Sequence, residues 1–291
     1  MAATNLTTTR TPSDGVSDRS IFRIRLATVV LILLAWEAIA MLGKADFLYA
    51  DVVPSTWKIV AAIANEFTLA AFYHDLWITF AEHIVGFISG SAIAIALGIA
   101  MGTNPFLRNA IEPYLNAIGS TPKIIFLPII FLFFGTGIEG KMAKGALSAF
   151  FPVVFTTTLG MMLINPVLVK VGKSFNLSHW QMVRKIYIPA MVNPVITGLR
   201  LGMAITVIGV LVAELKVASA GLGFRLSNYY EAFNIAGMYA LIVIIFALAA
   251  IANIGMTRLQ DRANRHLAPT AAKGKKARAK ASGGLGVVAT N

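Results

Sequence analysis

Long apolar runs alternate with short polar or basic stretches along most of the chain, and about 20 mostly apolar residues suffice for a helix to cross a bilayer. Six runs qualify. They fall at roughly 24–43 (IRLATVVLILLAWEAIAMLG), 78–101 (ITFAEHIVGFISGSAIAIALGIAM), 115–134 (LNAIGSTPKIIFLPIIFLFF), 142–164 (MAKGALSAFFPVVFTTTLGMMLI), 192–213 and 235–256. The pattern predicts an all-α polytopic membrane protein with six transmembrane helices. Between the first two runs, STWKIVAAIANEFTLAAF has the amphipathic spacing of a helix lying on a membrane interface. Small residues recur at helical spacing in the second span (Gly86, Ser89, Gly90, Ala94, Gly98) and in the fifth (Gly198, Gly202, Gly209). Small faces let backbones approach in lipid, so both are read as interior helices.

The polar stretches set an orientation. Arg10, Arg19, Arg23 and Arg25 precede the first span, Arg108 follows the second, and Lys170, Lys173, Arg184 and Lys185 lie between the fourth and fifth. Arg258, Arg262 and Arg265 follow the sixth. All of them share one side if both termini are cytoplasmic, as the retention of Lys and Arg on that side requires. The opposite side receives Asp46, Asp51, Glu66 and Asp75 against Lys44 and Lys58, the turn 135–140, and the loop 214–234. In a bacterium this predicts a multi-pass protein of the cytoplasmic (inner) membrane.

Composition narrows the chemistry. The 291 residues are 57% hydrophobic and 13% charged, with a mean hydropathy of +0.74. A net charge of +12 sits mainly in tails and loops, so it is read as topological rather than as a nucleic-acid surface, and no nucleic-acid partner is expected. The polar residues 1–23 and the basic residues 266–291, with KGKKARAK, are read as disordered cytosolic tails around a transmembrane domain at 24–265. The first of these lacks the apolar core and cleavage site of a signal peptide. There is no cysteine, and His74, His83, His179 and His266 show no ligand spacing. Neither a metal nor a cofactor is expected.

GTGIEGKM at 135–142 matches G-x-x-x-x-G-K, but Met142 stands where a hydroxyl should hold magnesium and no strand precedes it. It is read as a tight turn. No nucleophile–base arrangement or catalytic carboxylate pair emerges, so the chain is not expected to be an enzyme. Ionisable residues inside spans are costly, about 2.5–3.5 kcal/mol at a helix centre, and here they are Glu37, Glu82, His83, Lys123 and Lys144. Glu82, His83 and Lys144 lie near span ends, where snorkelling relieves the cost. Lys123, between Pro122 and Pro128, is read either as a snorkelling cation or as part of a substrate path.

The segment between the fourth and fifth spans is built differently. Asn165 and Pro166 make an N-cap with proline at the first helical position, so a short helix should run to about Phe175. Asn176 suits a left-handed C-terminal residue. Ser178 and Gln181 form a capping box for a second helix, which carries Trp180, Val183, Arg184 and Tyr187 and is expected to end before Pro189. An exposed indole and tyrosine beside cations favour a docking knob over a solvated connector.

These residues carry a resemblance. In the permease subunits of ATP-binding-cassette importers that use a binding protein, this loop reads E-A-A, three residues, G, nine residues, then I-x-L-P. Here Lys170, Val171 and Gly172 occupy the E-A-A positions, Asn176 the glycine, and Ile186, Ile188 and Pro189 the I-x-L-P. LSHWQMVRKIYIPA, from Leu177, STPKIIFLPIIFLFFGTG, VGFISG, FFPVVFTT, VAEL and GLGFRL are similar to the sulfonate, taurine and nitrate group. The resemblance implies ATPase docking through Lys170, Gly172, Asn176, Leu177, Ser178, Trp180, Arg184 and Pro189. It also implies cytosolic ATPase subunits, an extracytoplasmic substrate-binding protein, a second permease copy and membrane lipid as partners. The cargo would be a small solute, with Lys123 favouring an anion. Lys170 replaces the usual acid, and Glu82 stands where relatives often carry arginine. A secondary transporter driven by an ion gradient is the alternative, weakened by the lack of an internal repeat.

Overall fold

The computed structural model describes residues 18–44 and 52–267. Expectations for Arg10, Asp46, Asp51 and the KGKKARAK tail lie outside them. The described elements are all helical: α1 (Asp18–Lys44), α2 (Thr56–Glu66), α3 (Ala70–Thr103), α4 (Pro105–Ser120), α5 (Leu127–Phe134), α6 (Ile138–Met162), α7 (Pro166–Ser174), α8 (His179–Met182), α9 (Ile188–Val217), α10 (Leu222–Glu231) and α11 (Ile235–Leu267). A 3-10 turn at Lys123–Phe126 leads into α5, and a π turn at Val183–Tyr187 joins α8 to α9. Since α1 begins at Asp18, residues 18–23, read from sequence as tail, are helical.

Among the described residues, five helices are long and apolar enough to span a membrane. The expected third span at 115–134 is not one helix. Its residues are divided between α4 and the 3-10 turn with α5, which meet at 98°. Pro122 is the cause: its ring forces Thr121 out of the helical region, to φ −74 and ψ 140, and it has no N–H to continue the ladder.

Contacts through glycines show how the bent pair is used. Gly86 faces Met142, Gly90 faces Ala146, Gly98 faces Thr157 and Gly102 faces Met161, so both numbers rise together. α3 and α6 are therefore parallel. The chain must return between them, and only α4 and α5 can bring it back, so the bent pair makes the sixth crossing. α9 runs against α6, with Gly198 on Thr156, Gly202 on Val153 and Gly209 on Ser148. α11 in turn opposes α9, with Arg200 Nε donating to Asn253 at 3.1 Å and Gln260 to Thr197 at 3.2 Å. α1 closes the order through Trp36, whose ring lies edge-on to Tyr239 at 5.2 Å. Arg23, Arg25, Arg108, Lys170, Lys173, Arg184, Lys185, Arg258 and Arg262 consequently share one end of the bundle, as the loop charges predicted.

Spans two and five turn their small faces onto α6, which lies between them and is the most buried span, while their other faces are exposed. A Cβ on Gly90 would lie 2.7 Å from the Ala146 Cα. Along this seam Ala94, Met101, Leu115, Phe151, Val153 and Val154 form a buried core. At the other end α2 is the expected amphipathic helix, packed on α11. Its Glu66 is only 2% exposed and accepts from Arg225 Nε at 2.9 Å and from the Tyr229 hydroxyl. Asp75 also lies 3.4 Å from Arg225. On α10, outside the spans, burial works against the Arg225 charge, but Glu66, Tyr229 and Asp75 outweigh it and raise its pKa.

Candidate functional site

The segment 165–189 forms at the basic end much as its caps foretold. Asn165 Oδ1 accepts from Val167 N at 2.9 Å and starts α7. Asn176 has φ +50, and the turn is closed by Asn176 N to Lys173 O at 2.9 Å and Leu177 N to Gly172 O at 3.2 Å. These are the paired bonds that satisfy the last carbonyls of a helix. Ser178 N donates to Gln181 Oε1 at 2.9 Å and Gln181 N to Ser178 Oγ at 3.3 Å, completing the capping box. Gly172 is buried under the side-chain ends of Met182 and Ile186, so a larger residue there would have to displace those two side chains.

One expectation is corrected. The second helix does not end before Pro189 but passes through the π turn into α9, giving a continuous helical stretch from Trp180 to Val217. Proline lacks the donor for a bond to residue i−4, and its ring crowds that carbonyl; widening the turn relieves both. The side chains of this segment therefore ride on a span. Trp180 is 70% and Phe175 76% exposed, while Lys170, Arg184 and Pro189 are also exposed. Lys170, at the position of the usual acid, has no carboxylate partner among the described residues.

Lys123 opens the 3-10 turn, half-buried. Its Nζ donates to Gly119 O at 2.7 Å and stands 5.1 Å from the centre of the Phe151 ring. It thus faces α6 at Phe151.

The other intramembrane charges differ from their sequence reading. Glu82, His83 and Lys144 do not snorkel: they are 0%, 9% and 3% exposed. Glu82 is ion-paired at 2.6 Å with Lys141, a residue dismissed with the turn of GTGIEGKM. Glu214 joins them from α9, accepting from Thr79 Oγ1 at 2.6 Å and Gly223 N at 2.7 Å. Glu37 accepts from the Thr56 N–H and hydroxyl, both at 3.0 Å, and so anchors the start of α2 rather than lining a path. No local pattern signals the Lys141–Glu82–Glu214 group, because its members come from three helices. Among the described residues no cluster of His, Cys, Asp or Glu is arranged to hold a metal.

A family model described as binding-protein-dependent transport system inner membrane component matches residues 92–265, more than half the chain. The chain belongs to this family. It is therefore an importer permease: a non-catalytic, multi-pass membrane subunit, whose family implies ATPase and binding-protein partners. The permease is similar to the taurine transport system permease protein TauC of Escherichia coli (strain K12), 24% identical over 82% of this chain and 88% of that protein. It is also similar to the putative aliphatic sulfonates transport permease protein SsuC of Bacillus subtilis (strain 168), at 27% over 80% of this chain and 83% of that one. An inward-facing structure of the MetNI methionine ABC transporter shares the fold. Its TM-score is 0.60 at 18% identity, covering 67% of the permease and 97% of that chain.

Proposed function

We propose that this permease works as a pair of identical copies in a bacterial cytoplasmic membrane, with both termini cytosolic, and passes inward a small solute with an anionic head, such as a sulfonate, taurine or nitrate. A binding protein delivers the cargo on the outer face, and ATPase subunits dock on the cytosolic segment 166–189 through Lys170, Gly172, Asn176, Leu177, Ser178, Trp180, Arg184 and Pro189. The observation that carries this reading is Trp180. Its indole is 70% exposed at the basic end, beyond the apolar part of the bundle, on a helix that continues for 38 residues to Val217. At 1.5 Å per residue that rod is about 57 Å long, so force applied at Trp180 is delivered along the whole of α9. Gly172, Asn176 and the Ser178–Gln181 box hold the knob in one shape. Similarity to taurine, sulfonate and nitrate permeases supports the anion, as does Lys123 facing α6.

The test is Trp180→Ala. The variant should insert normally but retain its ATPase about tenfold less well or worse, since truncating a central interface tryptophan typically costs ~2 kcal/mol or more. Arg258→Ala, at the same end but outside the segment, is the control. Wild-type co-purification of the ATPase with Trp180→Ala would leave 166–189 a mere connector.

A further inference from the structure

The antiparallel helices α9 and α11 do not close on one another along their length. Between them runs a half-open furrow of about 590 Å³. Its walls are apolar stripes at helical spacing, from Met203 to Leu215 on α9 and from Ile242 to Ala250 on α11, and Leu226 of α10 lies at its outer end. Ile208 and Phe246, on opposite walls, are exposed, so the furrow opens sideways out of the bundle. From Arg200 to Leu215 it is about 22 Å long at 1.5 Å per residue. One leaflet's share of a hydrocarbon core is roughly 15 Å, half of about 30 Å.

The inner end of the furrow is different. Arg200 and Asn253 line it, joined by the 3.1 Å hydrogen bond from Arg200 Nε to Asn253 Oδ1. A guanidinium has five N–H donors. Among the described residues this is the one hydrogen bond that Arg200 donates, and no carboxylate meets it. Arg200 lies about 24 Å along α9 from Lys216, and Asn253 about 27 Å along α11 from Ile235, both counted from the outer ends of these helices. The guanidinium therefore stands at the inner margin of a hydrocarbon core about 30 Å thick. An apolar trough one acyl chain long thus ends, at headgroup depth, on a half-buried cation without a counter-ion.

We propose that this furrow is a lipid site: it holds an acyl chain of an anionic glycerophospholipid of the inner leaflet, with the lipid phosphate on Arg200. A guanidinium binds phosphate oxygens in pairs, and the cytoplasmic leaflet supplies anionic headgroups. The chain covers the apolar walls, which a compact hydrophilic cargo would leave bare. A second copy's α1 is the other apolar rod able to lie there, since α1 is largely exposed along its length. Its charge does not match. Residues 24–36 contain no Asp or Glu, and Glu37 is engaged by Thr56 at the outer end, so α1 would bring no anion to Arg200 at this depth. The lipid satisfies both ends of the furrow and fills the gap between α11 and α9, the helix that carries Trp180. This goes beyond the importer reading and does not depend on the cargo.

The test counts lipid adducts of the full-length permease, delipidated in detergent, by native mass spectrometry. The probes are phosphatidylglycerol and phosphatidylcholine with matched chains. Wild type should take up phosphatidylglycerol saturably and about fivefold or more tighter than phosphatidylcholine. Arg200→Met should abolish that preference, and Arg200→Lys, which keeps the cation, should retain it. Ala249→Phe, which fills the furrow and leaves the guanidinium in place, should weaken binding of both lipids. Arg258→Met, a cation at the same end but outside the furrow, should stay within about twofold of wild type. Equal affinity of the wild type for the two lipids, or an undiminished preference in Arg200→Met, would overturn the site. Displacement of phosphatidylglycerol by methanesulfonate would give Arg200 to the cargo instead. A disulfide in membranes between a copy carrying Ile208→Cys and a copy carrying Ile32→Cys would give the furrow to α1. Either result overturns the lipid.

Discussion

Lys141 Nζ lies 2.6 Å from Glu82 Oε1 across the α3–α6 contact, with side chains 3% and 0% exposed. Removing one partner of such a pair strands the other charge, which typically destabilises by about 3–5 kcal/mol. Lys141→Met alone should therefore lower the thermal midpoint strongly. Combining it with Glu82→Gln should lower the midpoint by less than the sum of the two single changes. Strict additivity in a double-mutant cycle would show that the two charges do not depend on one another.

The parallel packing of α3 on α6 rests on glycine. A Cβ on Gly90 would meet the Ala146 carbonyl oxygen and, at 2.7 Å, its Cα, whereas one on Gly255 in α11 meets nothing within 4 Å. Gly90→Val should cost roughly 1–3 kcal/mol or more through forced separation of the helices. Gly255→Ala should be neutral or slightly stabilising, because alanine favours a helix by about 1 kcal/mol over glycine. Equal unfolding midpoints for the two variants would contradict the seam.

Pro189 imposes the π turn between α8 and α9. Pro189→Ala restores an N–H able to bond at i−4. The tighter turn should rotate the docking face by about 100° about the α9 axis, one residue's worth of helical twist. ATPase co-purification should fall even though Trp180 is intact, and spin-label distances from position 180 to α11 should shift. If neither changes, the π turn has no part in aiming the knob.

The natural chain has no cysteine, so single cysteines report topology directly. With the basic end cytosolic, Asn228→Cys on α10 should react in intact cells with an impermeant maleimide. Ser174→Cys on α7 should react only after the membrane is opened. The reverse pattern would invert the bundle.

Much of this protein was legible along the chain because it depends on short-range chemistry. Apolar runs long enough to cross a bilayer, glycine spacing in spans two and five, and basic residues in every second connection, all at one end, each follow from residues close in sequence. The Asn165 cap, the left-handed Asn176 and the Ser178–Gln181 box are hydrogen bonds among neighbours, and they formed as expected. Tertiary structure decided what depends on register between helices. Pro122 marks a break in the sequence, but the 98° bend and its use as a crossing follow from the parallel docking of α3 and α6. Pro189 likewise reads as a stop; in the structure Met182 and Ile186 pack on Gly172 of α7, and the helix runs on into α9 through a widened turn. Glu82 and Lys144 looked like residues able to reach an interface. Glycine contacts draw α3, α6 and α9 so close that neither can reach it, so Glu82 takes Lys141 as its partner and Lys144, among the described residues, takes Ser148.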